Sequence, residues 1–331
     1  DHLGARKRLP GSGSLNLTGT PYGKPLQPYL KKAAFYSDCW VDDSRLVVLN
    51  ALDAQAHGAT ILTRTKCVSA TPDSAGGGWH ATLSNSKDDS LQQLRSRVIV
   101  NASGPWAKSC LSSVIDGLST PLMRLVRGSH IVVPKLFDHD NAYIFQNPDR
   151  RIVFAIPYEQ RYTMIGTTDK DFRGDLDTVT PSTQEIIYLC ETANRFFSQQ
   201  ITSDDIVWSF SGVRPLLEDG SGNAEKVTRD YRLDLQTTVD GAVALSVLGG
   251  KITTYRKLAE QAVSKLSTIF NTKKAWTSNV PLPGGNIPDS NIDKFIEITA
   301  QKYPWLPHDL LCRYAISYGT RITILLNGMT C

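Results

Sequence analysis

Ala244-Leu245-Ser246-Val247-Leu248 runs straight into Gly249-Gly250-Lys251-Ile252-Thr253-Thr254, and a helical pattern follows through Leu258, Ala259, Ala262, Val263 and Leu266. An apolar strand, a double-glycine turn and a helix start in succession put free backbone N–H groups and a positive dipole end where an anionic or carbonyl-rich ligand can dock. A Gly-Gly turn before a helix is also a common tight connection, so this junction alone leaves both readings open.

Outward from that junction the chain falls into textures. Residues 44–58 carry a helix signal, with Ser44 as cap, Leu46, Val47, Leu49 and Leu52 among the apolar positions, and Gly58 as stop. A strand over 59–65, alternating runs at 79–83 and 94–100, and a buried strand Val98-Ile99-Val100 ending at Asn101-Ala102-Ser103-Gly104-Pro105-Trp106 complete the later half of a dinucleotide-binding α/β domain. From about 119, strand-like runs crowd at 130–133, 142–146, 151–156 and 162–165, a helix spans 182–197, and strands resume at 206–213, 231–235 and 243–248. These read as an antiparallel sheet domain. Beyond a Pro/Gly stretch at 281–285, two more helices are expected from about 290.

The 331 residues are 41% hydrophobic and 21% charged, which matches average globular usage and excludes disordered, collagen-like and coiled-coil chains. No apolar run reaches the roughly 18 residues of a spanning helix, so any membrane contact is expected to be peripheral. The net charge is +4, and residues 1–32 hold six basic residues (Arg6, Lys7, Arg8, Lys24, Lys31, Lys32) against Asp1. That arm can attract anionic lipid, and its four prolines and five glycines equally suit a solvated loop. Six scattered cysteines without a C-x-x-C pair read as reduced, mostly buried thiols, and six scattered histidines suggest no metal site. With no signal peptide at the start, a reducing, cytoplasmic compartment is the default expectation. Asp1-His2-Leu3-Gly4 and Asn327-Gly328-Met329-Thr330-Cys331 read as cut ends, hence the expectation of a fragment, inactive alone.

A dinucleotide site needs a G-x-G-x-x-G turn between strand and helix, and the near misses at Gly11-Ser12-Gly13 and Gly220-Ser221-Gly222 have neither flank. What decides the reading is an ordered series: Ser37-Asp38-Cys39-Trp40-Val41-Asp42-Asp43, Asn101-Ala102-Ser103-Gly104-Pro105-Trp106, Gly128-Ser129-His130, Ile165-Gly166-Thr167-Thr168-Asp169, Ser211-Gly212-Val213-Arg214-Pro215-Leu216, Thr228-Arg229-Asp230-Tyr231, and Gly249-Gly250-Lys251 through Glu260. This series resembles the bacterial FAD-dependent sn-glycerol-3-phosphate dehydrogenases over nearly the whole chain. The resemblance implies a fold similar to D-amino-acid oxidase, mixed α/β and α+β. Its parts would be a partial FAD-binding Rossmann-like domain over 1–118, a substrate-binding antiparallel sheet over 119–243, a return to the FAD domain over 244–283 and an incomplete helical piece over 284–331. It implies oxidation of glycerol 3-phosphate to dihydroxyacetone phosphate, with electrons passing through FAD to membrane quinone, on the inner face of the cell membrane. The expected partners are those two phosphoesters, quinone and an anionic membrane surface, without nucleic acid; a homodimer stays open. A related oxidase using oxygen or an amine, or a phosphoester-binding module without catalysis, are the alternatives.

A phosphorylated substrate carries about two negative charges near neutral pH, and guanidinium forks suit phosphate oxygens. Arg214 and Arg229 are the candidates, with a salt bridge from Arg214 to Glu218 or Asp219 as the plainer role. Lys251 either supports the flavin edge, where negative charge develops on reduction, or binds substrate oxygens, or is simply solvated. His130 is the candidate general base, with a satisfied core histidine as its rival. For FAD the resemblance implies Lys66, Cys67 and Val68 near the adenosine half, Asn101, Ala102, Ser103 and Gly104 close to the cofactor, and Gly249, Gly250, Lys251, Ile252, Thr253 and Thr254 toward the ring.

Overall fold

The computed structural model describes residues 11–74, 76–217 and 230–329. In chain order the strands are β1 (Gly13–Asn16), β2 (Lys32–Phe35), β3 (Thr65–Asp73), β4 (Gly78–Asn85), β5 (Leu91–Ser96), β6 (Val98–Asn101), β7 (Met123–Pro134), β8 (Tyr143–Gln146), β9 (Ile152–Tyr158), β10 (Tyr162–Gly166), β11 (Lys170–Asp171), β12 (Trp208–Leu217), β13 (Arg232–Thr237) and β14 (Val243–Leu248). The α-helices are α1 (Asp43–Ala56), α2 (Ala107–Ser113), α3 (Thr183–Phe196), α4 (Tyr255–Lys265), α5 (Ile292–Lys302), α6 (His308–Tyr318) and α7 (Ile322–Leu325). They form two compact units. The first holds the described residues through Asp38, Cys67–Thr82 and Gln93–Lys251; the second holds Cys39–Lys66, Leu83–Gln92 and the chain from Ile252 on.

The first unit is organised by β7, which pairs antiparallel with β10, β11 and β12 in a six-stranded sheet continued by β9 and β8. Side chains on a strand alternate between faces. Ser129, Ile131 and Val133 point to one side of β7 and are buried, joining a core with Ile165, Val153 and Phe145. Helix α3 closes that side. Its capping box, Ser182 with Glu185, fixes where it begins, and Leu189, Cys190 and Ala193 on its buried stripe, with Phe197 just past its end, complete the same core. The opposite face of β7, with Gly128 and His130, is not covered by this core.

A smaller sheet in the same unit has the order β13-β14-β6. Strand β14 runs parallel to β6, with Ser246 opposite Asn101, so both strands end on one side. There the Ala102-Ser103-Gly104 and Gly249-Gly250 turns leave them. In the second unit, Phe295, Leu306, Leu311, Ala315, Ile322 and Leu326 form the core of α5, α6 and α7. Arg45 of α1 donates from Nε to the Ser317 carbonyl at 3.1 Å and lies over the Tyr318 ring.

Four local expectations need correcting. Residues 59–64 are irregular and the strand starts at Thr65, after a turn in which Arg64 has φ of 55°; a strand is defined by a partner ladder, which alternation in sequence does not supply. The run at 94–100 divides into β5 and β6, and within Val98-Ile99-Val100 the side chains are half-buried, with Val100 exposed. Helix α1 is capped by Asp42, which accepts from Arg45 N at 3.0 Å, while Ser44 lies inside the first turn. Among the described cysteines only Cys190 is buried.

Leu189 is fully buried and Ile187, two positions away on α3, is 50% exposed. Leu189→Ala should therefore cost about 2–5 kcal/mol of unfolding free energy and Ile187→Ala less than about 1 kcal/mol, read from urea denaturation midpoints. Equal losses would show that α3 does not pack through the stripe described.

Candidate functional site

The uncovered face of β7 gathers chemistry because β12 pairs with it in register, placing Phe210 opposite His130, Gly212 opposite Gly128 and Arg214 opposite Val126. On the other edge, β10 places Gly166 opposite His130. Each glycine makes room. A Cβ on Gly166 would run into the His130 ring, and one on Gly128 would stand 2.5 Å from Thr167 Oγ1 and 3.1 Å from Arg214 Nη2. The backbone here is shaped around the imidazole and the guanidinium.

Arg214 donates from Nη1 to Asp169 Oδ1 at 2.5 Å and from Nη2 to Thr167 Oγ1 at 3.4 Å. The plainer role for Arg214, a salt bridge, is thus filled by Asp169; Glu218 and Asp219 lie outside the described residues. The pair is 39% and 30% exposed at its side chains, and so open an ion pair adds little stability; its significance is positional. His130 stacks on Phe210 with ring centroids 4.9 Å apart, Phe210 stacks in turn on Trp208, and the buried His130 Nδ1 has no hydrogen-bond partner among the described residues. Burial, reinforced by the nearby positive charge of Arg214, brings the imidazole down to about 4, so it is neutral at pH 7 and able to accept a proton.

The glycine turns lie beside this face. Strand β12 lies against the Gly104–Trp106 helical turn and against β14. A Cβ on Gly249 would stand 3.6 Å from the Pro215 carbonyl, next in sequence to Arg214, and 3.2 Å from that of Asp230. Both Gly249 (φ 74°) and Gly250 (φ 105°) adopt backbone that favours glycine. In the other turn, buried Asn101 donates from Nδ2 to the Ala107 carbonyl at 3.0 Å and accepts from Ser103 Oγ at 2.5 Å, and Gly104 has φ of 57° with open space at its Cβ position.

A family model described as FAD dependent oxidoreductase matches residues 7–256. The chain belongs to the FAD-dependent oxidoreductase family. A glycerol-3-phosphate dehydrogenase of Pseudomonas aeruginosa is 48% identical over 99% of this chain and 63% of its own length. A D-erythritol 1-phosphate dehydrogenase of Brucella abortus is 45% identical over 99% of this chain and 65% of its own. Among solved structures, the glycerol-3-phosphate dehydrogenase from Bacillus halodurans complexed with FAD matches with a TM-score of 0.75 at 26% identity, over 92% of this chain and 59% of that one. The chain thus spans less than two thirds of the length of these relatives.

For a member of the FAD-dependent oxidoreductase family, the residues present fit the cofactor. Ligands of open α/β sheets sit outside the carboxyl ends of the strands. Here the two parallel strands β6 and β14 end side by side in glycine turns, one of them with an unfilled Cβ position. Asn101, Ala102, Ser103 and Gly104 would meet the cofactor from one turn, and Gly249, Gly250 and exposed Lys251 from the other, with Ile252, Thr253 and Thr254 continuing as a helical turn. Lys66, Cys67 and Val68 lie on β3 in a separate sheet, where Cys67 packs against Ala70 and Trp79. Arg229 lies outside the described residues. A cavity of about 380 Å³ in the second unit, lined by Asp53, Arg256, Glu260 and Trp276, contains none of the expected site residues, and its Arg256 and Glu260 already pair at 2.7 Å.

Reading along the sequence missed Thr167, Asp169 and Phe210 as functional neighbours. Thr167 and Asp169 were present in a quoted motif but had no geometry attached, and Phe210 stands one residue before another. Because the folded state holds His130 below its ordinary value of 6.5, the unfolded chain protonates first as pH falls, and stability is lost from about pH 6.5 down to about 4. Between about pH 7 and 4.5 the protein should lose on the order of 2 kcal/mol more than its His130→Gln variant, measured by urea unfolding. Parallel pH profiles for the two proteins would show the imidazole to be solvated.

Proposed function

We propose that this chain serves the oxidation of sn-glycerol 3-phosphate to dihydroxyacetone phosphate, with electrons passing through FAD to membrane quinone. The observation that carries the reading is the gathering of Arg214, His130 and the Gly249-Gly250 turn in one region, in a chain 48% identical to a glycerol-3-phosphate dehydrogenase. FAD, when bound, supplies the acceptor for the hydride leaving C2. Arg214 binds the phosphate oxygens, since a guanidinium fork carries more donors than Asp169 and Thr167 consume. Neutral His130 takes the hydroxyl proton. Burial is the larger cause of the depressed imidazole and the Arg214 charge the smaller; a dianion resting on Arg214 offsets the second and so makes His130 a better base. Lys251 adds positive charge beside the glycine turn, and Arg229 is a second phosphate ligand.

Exposed Lys24, Lys31 and Lys32 suit contact with an anionic membrane surface on the cytoplasmic side. No helix among the described residues is long and apolar enough to cross a membrane. A second substrate reading, D-erythritol 1-phosphate, is favoured by the 45% identity to a dehydrogenase of that name. Both substrates present a phosphate to Arg214 and differ in chain length.

The test is steady-state kinetics on the full-length FAD-loaded enzyme with each phosphoester, using a soluble quinone or oxygen as acceptor. Arg214→Ala should lower kcat/KM for the preferred phosphoester at least about 100-fold, equivalent to about 2.7 kcal/mol. A loss below about threefold removes Arg214 from the site, and hydrogen peroxide produced at the rate of turnover would make the enzyme an oxidase.

A further inference from the structure

Behind the substrate face lies a buried carboxylate for which the proposed chemistry has no use. Glu185, 2% exposed, opens α3 on the core side of the sheet. It accepts hydrogen bonds from Thr168 Oγ1 at 2.7 Å, Ser129 Oγ at 2.8 Å, Ser182 Oγ at 2.7 Å and Ser182 N at 3.0 Å, and it pairs with Arg127. Burial alone would raise its carboxyl; the hydrogen bonds from Thr168, Ser182 and Ser129 outweigh burial and bring it down to about 2. It is therefore a fixed anion at any ordinary pH, with a donor set far larger than a helix cap requires.

The residues that hold Glu185 alternate, position by position, with those that build the substrate face. Ser129 lies between Gly128 and His130 on β7. Ser211, whose hydroxyl meets that of Ser129 at 2.7 Å, lies between Phe210 and Gly212 on β12. Thr168 lies between Thr167 and Asp169, the two residues that receive Arg214. Thr168 is anchored twice, donating to Glu185 and accepting from Ser129 N at 3.0 Å. The Thr167 hydroxyl donates to the Thr168 carbonyl at 3.1 Å, which turns its lone pairs toward the guanidinium. One carboxylate thus fixes, through Thr168, the short segment against which Arg214 is aimed.

We propose that Glu185, acting through Thr168, is a positioning residue that sets the aim of the Arg214 guanidinium from the opposite face of the sheet, and so governs affinity for the substrate's phosphate. This rests on the reading of Arg214 as the phosphate ligand. A constellation held to a fraction of an ångström needs supporting groups that are themselves locked. Here the locking groups are buried hydroxyls on an ionised carboxylate, where charge-assisted hydrogen bonds are strong.

The experiment compares Thr168→Val, Thr168→Ser and Glu185→Gln with Arg214→Ala, all as full-length FAD-loaded enzyme. It reads KM and kcat for glycerol 3-phosphate and competitive inhibition by inorganic phosphate, with flavin absorbance and thermal midpoint as checks on folding. Thr168→Val and Glu185→Gln should raise both KM and the phosphate inhibition constant about tenfold with a smaller change in kcat, and Thr168→Ser should restore both. Should the phosphate inhibition constant stay within twofold in both variants while Arg214→Ala raises it, the positioning role is overturned and the function reading stands. If Arg214→Ala leaves that constant unchanged, the function reading falls and this inference with it. Loss of bound flavin in both variants, or a fall in thermal midpoint without a change in phosphate inhibition, makes the network one of stability alone and likewise overturns the proposal.

Discussion

The constraint on which the rest depends is the two-residue repeat of an extended strand. On β7 it assigns Ser129, Ile131 and Val133 to the core under α3 and Gly128 and His130 to the opposite face, without a break in the backbone. A one-residue slip in the β7 and β12 register would exchange the two sets, turning the imidazole toward α3 and Ile131 away from it. The Ser129–Ser211 hydroxyl contact sits in the middle of that ladder and opposes such a slip, because a shifted register would leave buried hydroxyls unpaired. Affinity for a ligand on one face and stability of the core on the other are in this sense the same fact about strand pairing.

Packing and electrostatics divide the labour. Apolar burial by α3 and the six-stranded sheet supplies the bulk of the stabilisation, through Leu189, Phe197, Ile131 and Ile165. The charged groups are few and local. The Arg127–Glu185 pair is buried on the core side and the Arg214–Asp169 pair is half exposed on the other, so the two experience different dielectric surroundings though their residues alternate in sequence. In the buried pair Glu185 is held by several donors, as the cost of burying a charge demands, while the buried Arg127 Nε has no hydrogen-bond partner among the described residues. The exposed pair keeps capacity to exchange.

Helix and strand were legible where their periods differ: α3 was expected at 182–197 and β14 at 243–248, close to where they lie, whereas only the last residues of β7 were expected, at 130–133. Arg214 and His130 were legible as residue types with fitting chemistry, in a chain whose ordered motifs already pointed to a flavin family. Their proximity was not, since antiparallel register between segments about eighty positions apart leaves no trace in local spacing. Asp169 was missed for that reason, since nearness in sequence points only to partners such as Glu218 and Asp219. The strand over 59–65 was misread because alternation reports a face to bury and cannot report a neighbouring strand. Ser44 was read as the cap where Asp42 serves, because both residue types cap well and boundaries by pattern carry errors of a residue or two.

Gly166 lies across the β10–β7 ladder from the His130 ring, and Gly128 lies against Thr167 and the Arg214 guanidinium, so the space a side chain would take at either glycine is already filled by those groups. A larger residue at Gly166 would displace the imidazole, and one at Gly128 would displace the Thr167 hydroxyl or the guanidinium. The two glycines and the two side chains they admit therefore form one unit of substitution: neither member can be exchanged while the other keeps its place.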